Sequence, residues 1–291
     1  MKKPAAFFWA LLALSGPALA AETPREDLRY NQVQQKASHN SYQRKEDVFT
    51  QLEDFNIRAI EFDLHAAKAP AGDWLVYHTS KDRFTHCRLL SDCYGQVARF
   101  HQLHPDHQAV TIFFDVEGLG KPGRSKQDFY AQIENTFPPG SVLKPSALMS
   151  ACPAAKTLQE SVTLPGCGWP GLAQIRGKFI FVISGGESDF RKPVYDPAQD
   201  YVFLVSGATT EQAMRQDPNL IFFNLPGAHP FAGQAREAGF VSRVYWIDTR
   251  AKYEKAMALG ANILAGDNLD PQKFPWTNTA QPDGFPFKVI E

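Results

Sequence analysis

The sequence predicts an α/β protein built as a single (β/α)₈ TIM-type barrel, regular or distorted, with a ninth strand candidate that spoils a clean count of eight. Three observations lead there. Short apolar runs alternate with helix-like stretches along nearly the whole chain, the pattern of parallel strands with covering helices. About eight such units fall within roughly 270 residues, the size of one closed barrel. Two of the runs, Ile60-Glu61-Phe62-Asp63-Leu64 and Ile112-Phe113-Phe114-Asp115-Val116-Glu117, carry acids at alternate positions near their ends. A doubly wound open sheet is the structural alternative.

Residues 1–20 stand apart from the fold. Lys2 and Lys3 precede the apolar run Ala5 to Leu14, which is too short to span a bilayer, and Ala18-Leu19-Ala20 fits the small-x-small rule for leader cleavage. The expectation is a signal peptide over 1–20 and a barrel domain over 21–291, periplasmic or secreted; a buried N-terminal helix is the plain alternative. Cleavage after Ala20 removes two lysines and no acids, which takes the formal net charge from −1 to −3. No Cys follows the cleavage site, which argues against a lipoprotein. No second long apolar run follows either, so a soluble mature chain is expected. There is no basic block, which argues against nucleic acid as a partner, because phosphate backbones need clustered Lys and Arg.

The strand candidates, in order, are Gln32–Gln35, Ala59–Leu64, Trp74–Tyr77, Ala109–Val116, Phe179–Ile183, Leu220–Asn224, Arg243–Ile247 and Asn262–Ala265. Tyr201–Val205 is the ninth, an edge hairpin or an extra strand. Helix candidates include Asp47–Phe55, Tyr94–Leu103, Lys126–Phe137, Thr210–Arg215 and Ala251–Leu259. The Pro-containing tail from Gln281 to Pro286 reads as an irregular arm. Four cysteines in an exported chain suggest disulfides, and the short-range pairs Cys87–Cys93 and Cys152–Cys167 are expected. They have no CxxC spacing and no histidines set around them for a metal cluster.

The acids carry the functional signal. Alternate side chains of a strand point to opposite faces. Ile60, Phe62 and Leu64 would face the outer helices, which turns Glu61 and Asp63 inward near the strand's C-terminal end. There the active sites of this fold lie. Ile112, Phe114 and Val116 do the same for Asp115 and Glu117. Carboxylates held close repel and lose hydration, and a hard divalent cation with oxygen ligands relieves both problems. The bland alternative is a set of solvated or Arg-paired acids on an antiparallel strand. His39, in Ser38-His39-Asn40-Ser41-Tyr42 after the first strand, and His78, after Trp74-Leu75-Val76-Tyr77, would reach the same mouth. Two histidines suit phosphodiester cleavage, which needs a base for the attacking oxygen and an acid for the leaving one. His65 is a weaker, supporting candidate. His86, His101, His104, His107 and His229 read as surface residues.

Leu28-Arg29-Tyr30-Asn31-Gln32-Val33 followed by Ser38-His39-Asn40-Ser41-Tyr42 resembles the opening of the bacterial calcium-dependent phosphoinositide-specific phospholipases C. Arg58-Ala59-Ile60-Glu61-Phe62-Asp63 resembles their second-strand motif. Val76-Tyr77-His78-Thr79, with Cys87 and Asp92-Cys93 downstream, resembles their third-strand histidine and its cysteine pair. The clear likeness runs from about Leu28 to Gly118.

The resemblance implies Ca²⁺ as the cofactor, with Asn40, Glu61, Asp63 and Glu117 matching its ligands and Asp115 an added candidate on the same face. It implies His39 and His78 as the catalytic histidines, with Glu61 or Asp63 able to share the base role. It also implies attack by an inositol 2-hydroxyl on phosphorus and departure of diacylglycerol. The partner would then be a phosphatidylinositol-like lipid or its headgroup, met by a monomer in transient contact with a membrane surface, with Phe84, Trp169 and Phe190 as docking candidates. No lysine lies in Val182-Ile183-Ser184-Gly185-Gly186, which argues against a polyphosphorylated headgroup. Arg243 or Arg250 would contact a phosphate or a ring hydroxyl, or be structural. Asp267 and Asp270 could reach the mouth but read as cap residues. The competing functions are a metal-dependent glycerophosphodiester phosphodiesterase and a non-catalytic binding barrel.

Overall fold

The structure is a computed structural model that describes residues 25–290 apart from 67–68, 71, 119–123, 186–189 and 191–194. The expected leader, the Leu119-Gly120 end of the loop after the second acidic strand, and Gly186 lie outside the described residues. Among the described residues ten strands form: β1 (Val33–Ser38), β2 (Ala59–His65), β3 (Leu75–Val76), β4 (Val110–Glu117), β5 (Phe179–Gly185), β6 (Phe203–Ser206), β7 (Phe222–Pro226), β8 (Val241–Tyr245), β9 (Ile263–Gly266) and β10 (Lys288–Val289). Eight of them, all but β3 and β10, run parallel in the order β1-β9-β8-β7-β6-β5-β4-β2, and Ala37 pairs with Ala59 to join β1 to β2 and close the ring. The (β/α)₈ barrel is therefore the fold.

Two strand assignments change. Trp74–Tyr77 is not a barrel strand: only Leu75 and Val76 pair, antiparallel, as a hairpin on the end of β2. The physical reason lies in the connection. Only nine residues separate β2 from β3, whereas a parallel crossover needs a dozen or more. Tyr201–Val205, the supposed extra, supplies β6 between β5 and β7. At the other end of the sheet β10 pairs antiparallel with the start of β1, Val33 opposite Val289 and Gln34 opposite Lys288.

The helices that position the mouth start where capping side chains permit. Asp47 accepts the Thr50 N–H at 2.8 Å and opens α1 (Val48–Asp54). The next helix, α2 (Leu90–Leu103), follows the β3 hairpin directly. Ser125 and Asp128 cap each other's backbone at the start of α3 (Lys126–Thr136). Ile60, Phe62, Leu64, Ile112, Phe114 and Val116 pack in one cluster with Leu52, Tyr94 and Phe129 of these helices. The expected outward face of both acidic strands is therefore the observed one. Phe113, Ile180 and Val182 belong to the other cluster, with Ala37 and Ala59.

The disulfides are Cys87–Cys93 and Cys152–Cys167, as expected. Closing the 15-residue separation of the second removes about 3 kcal/mol of unfolded-chain entropy. Among the described residues no helix is long and apolar enough to cross a membrane.

His107 is packed, not on the surface: it is 6% exposed at the barrel floor. Its Nδ1–H donates to the Gln108 carbonyl at 2.7 Å, and its Nε2 accepts from His101 at 3.0 Å. Burial pushes its pKa down to about 4, with the neighbouring His101, Arg58 and His104 adding to the shift and the Gln108 hydrogen bond opposing it. The unfolded chain therefore takes up a proton that the folded one refuses, and stability falls as pH drops from about 6.5 towards 4. The slope should be worth about 2–3 kcal/mol. Urea unfolding at pH 7 and pH 4.5 should show a smaller difference for His107→Gln than for the parent chain.

Candidate active site

The first strand ends by turning sharply. Asn40 adopts a left-handed backbone (φ 46°), and this aims its N–H at Glu61 Oε2, 3.0 Å away. The Ser41 hydroxyl accepts the Glu61 N–H at 2.8 Å, so the β1 turn is bolted to β2 from both sides of Glu61. Across the barrel Arg243 of β8 meets the same carboxylate: its Nη2 donates to Glu61 Oε2 at 2.7 Å and its Nη1 to Asn224 Oδ1 at 2.8 Å. The guanidinium also lies over the Phe113 and Tyr245 rings. Arg243 is 2% exposed, and the pair is buried. Burial alone would raise the Glu61 pKa, but Arg243, His39 and the Asn40 N–H outweigh it and hold the carboxyl below its ordinary range. Arg250, by contrast, is exposed and pairs with Glu254.

Asp63 lies one step nearer the mouth. It stands opposite Asp115 in the parallel register of β2 and β4, and His65 stands opposite Glu117. Burial, then the charge of Glu61, push the Asp63 pKa well up; the Tyr42 hydrogen bond opposes them, and Asp115 and Arg243 add lesser effects that raise and lower it respectively. Asp115 owes its place to a glycine. A Cβ on Gly185 would come within 2.1 Å of Asp115 Oδ1. Glu117 goes elsewhere: its side chain is 74% exposed and meets His65 Nδ1 at 2.9 Å. The second nitrogen of His65 meets the Tyr77 carbonyl at 2.7 Å, and its ring stacks on Tyr77.

His39 points into this group from the β1 turn. Its Nδ1 lies 3.2 Å from Asp267 Oδ1, and Arg44 Nη1 reaches the same oxygen at 2.6 Å. Burial works against ionisation of Asp267, but the hydrogen bond to His39 and the charge of Arg44 keep its pKa low. With Nδ1–H donated to Asp267, Nε2 of His39 is the nitrogen left to take a proton. Asp267 is thus more than the cap residue the sequence suggested, whereas Asp270 holds Lys273. The His39 ring stacks on Tyr245 and meets Trp246 edge-on. Trp246 is 54% exposed at φ 60°, a backbone region costly for a bulky side chain. His78 follows Tyr77, whose N–H bonds to the Asp63 carbonyl, and its Nδ1 is 3.7 Å from Asp82. Asp82 is in turn held ionised first by Gln43, on the His39 turn. Of the docking candidates Phe84 is exposed, but Trp169 and Phe190 are buried against other rings.

The model of the family described as Phosphoinositide phospholipase C, Ca2+-dependent, matches residues 74–269. The chain belongs to that family. It is accordingly a phosphoric diester hydrolase of the phosphoinositide phospholipase C class. Among solved structures, the calcium-dependent phosphoinositol-specific phospholipase C of a Pseudomonas species, in its myo-inositol complex, is 19% identical. It aligns over 92% of this chain and 100% of its own with a TM-score of 0.76. The calcium-dependent phosphatidylinositol-specific enzyme of Streptomyces antibioticus is 18% identical over 84% of this chain and 96% of its own, with a TM-score of 0.67. At these identities both likenesses support the fold. No curated protein sequence matches.

The family is described as calcium-dependent, and the donor chemistry of this mouth fits a hard cation. Asp63 and Asp115 are crowded oxygen donors, Glu61 is held ionised beside them, and the Asn40 turn adjoins Glu61. Among the described residues no three carboxylate, imidazole or thiol groups are already gathered tightly around one point.

The Arg243–Glu61 pair generates a stability prediction. Arg243→Met should cost about 3–5 kcal/mol, because it strands a buried carboxylate. Chemical denaturation should show this loss, and Arg243→Met/Glu61→Leu should recover part of it.

Proposed function

We propose that the chain is an exported, calcium-dependent phospholipase C acting on phosphatidylinositol-type diesters, with His39 and His78 as its proton-transfer groups. The observation that carries this reading is the Asp267–His39 contact beside the buried Glu61. One imidazole is oriented by a carboxylate at the same mouth that carries Glu61 and the facing pair Asp63 and Asp115.

In this mechanism His39 Nε2 takes the proton of the inositol 2-hydroxyl as that oxygen bonds to phosphorus. The bond from phosphorus to the diacylglycerol oxygen breaks, and protonated His78 gives that oxygen its proton. The products are a cyclic inositol phosphate and diacylglycerol. Asn40, Glu61, Asp63 and Asp115 would hold calcium; Glu117, turned to His65, would need to swing back to join them. Calcium, when bound, offsets the negative charge that builds on the phosphate oxygens. Glu61 accepts both of its hydrogen bonds on Oε2, which leaves Oε1 as its remaining acceptor.

Export rests on residues 1–20 and on two disulfides, which suit an oxidising compartment. Phe84 and Trp246 stand exposed on the loops after β3 and β8, at the end of the barrel that carries His39 and His78. They would form the transient contact with a lipid surface.

Phosphorus NMR on phosphatidylinositol, with and without calcium, tests the reaction. A cyclic phosphate formed only with calcium supports the reading. A glycerol phosphate product instead would make the chain a glycerophosphodiester phosphodiesterase. His39→Ala and His78→Ala should each lower turnover at least about a hundredfold without unfolding the protein, and Asp63→Asn should chiefly raise the calcium concentration needed for half-maximal rate. In a sedimentation assay with phosphatidylinositol-containing vesicles, Phe84→Ala/Trp246→Ala should pellet less than the parent.

A further inference from the structure

The loop that carries His78 runs from Tyr77 to Cys87 and belongs to no barrel strand. It leaves the two-residue β3 hairpin, and the Cys87–Cys93 disulfide fixes its far end to α2. Between those ends it docks on the turn that follows His39 and Asn40 through two residues, Asp82, whose carboxylate accepts from the Gln43 side chain, and His86. Of these, His86 makes the contact to the turn's backbone. Its backbone N–H donates to the Tyr42 carbonyl at 2.9 Å, and its ring Nε2–H donates to the Arg44 carbonyl at 2.5 Å. Arg44 is the residue whose guanidinium holds Asp267 against His39 and whose Nε donates to the Asn40 carbonyl. The ring of His86 therefore ties the segment bearing one proposed proton-transfer group to the segment that orients the other.

Resting on the function proposed above, we infer that His86 is a positioning residue that sets the placement of His78 relative to His39. It touches neither substrate nor reacting atoms. It acts through the loop. The hairpin and the disulfide fix where the loop begins and ends, but the ten residues between Val76 and Cys87 keep many conformations. A hydrogen bond from a ring on the loop to a carbonyl of the opposing turn adds to the Asp82–Gln43 contact in favouring one of them. Misplacement of a catalytic group by about 1 Å is enough to cost a hundredfold in rate. A single exposed hydrogen bond, worth about 1 kcal/mol, shifts the population of the docked loop by about five- to tenfold.

The ring makes its contact with an N–H donor, so a side chain that keeps a donor at that reach should substitute for it. His86→Ala should lower kcat on phosphatidylinositol in detergent micelles with calcium by about five- to tenfold, leave KM within about twofold, and leave the thermal midpoint unchanged, since the residue is exposed. His86→Gln should recover most of the loss. In a His78→Ala background the His86→Ala change should cost nothing further, because the group it positions is gone. An unaltered kcat in His86→Ala would overturn the inference, as would equal losses in the Ala and Gln variants, or a full additional loss in the His78→Ala background. The parent reading fails separately: if His39→Ala and His78→Ala keep their turnover in the same assay, there is no proton-transfer pair for His86 to position.

Discussion

Everything at the mouth of this barrel is arranged around a carboxylate that has been prevented from neutralising itself. Glu61 is buried, next to a second acid and near a third, and an isolated group there would take up a proton. Arg243, the Asn40 N–H and His39 keep it charged. That places a permanent negative charge at the centre of the barrel, and the surrounding pieces follow from it. The β1 turn must be left-handed at Asn40 to deliver its N–H. Arg243 must thread inward between Phe113 and Tyr245. Asp63, in the shadow of that charge, is left poorly able to ionise until something positive arrives.

Parallel register multiplies the effect. Because β2 and β4 are aligned residue for residue, with Asp63 opposite Asp115, two short sequence motifs become one cluster. The same register sends Glu117 beyond the rim, where solvent and His65 claim it. Asp115 and Glu117, both exposed on the same face of the same strand, thus face different partners, Asp63 for the one and His65 for the other.

Much of this was legible in the sequence, and the failures have causes. The period of two in Ile60–Leu64 and Ile112–Glu117 reports the barrel face directly, because burial on one side demands apolar residues at alternate positions. The Trp74–Tyr77 run misled, since an apolar run states that a segment is buried and not which neighbour it pairs with; the nine-residue connection held the correcting information. Asp267 could not be told from a helix-cap residue, since its partner His39 lies more than two hundred positions away and meets it only when β9 closes against β1. Trp246 escaped notice because its positive φ ends the strand's alternation. His86 has a backbone acceptor as partner, and backbone acceptors leave no mark in a sequence.

The pairing of β10 with the first residues of β1 has an architectural consequence. Gln32, Val33 and Gln34 hold Ile290, Val289 and Lys288, and Arg25 holds Asp283, so both ends of the described chain emerge together at the floor of the barrel. The mouth faces the opposite way. A tag, a carrier protein or a solid support joined to either end would sit a full barrel height from the acids and histidines, and a molecule immobilised through its termini would turn its working face outward.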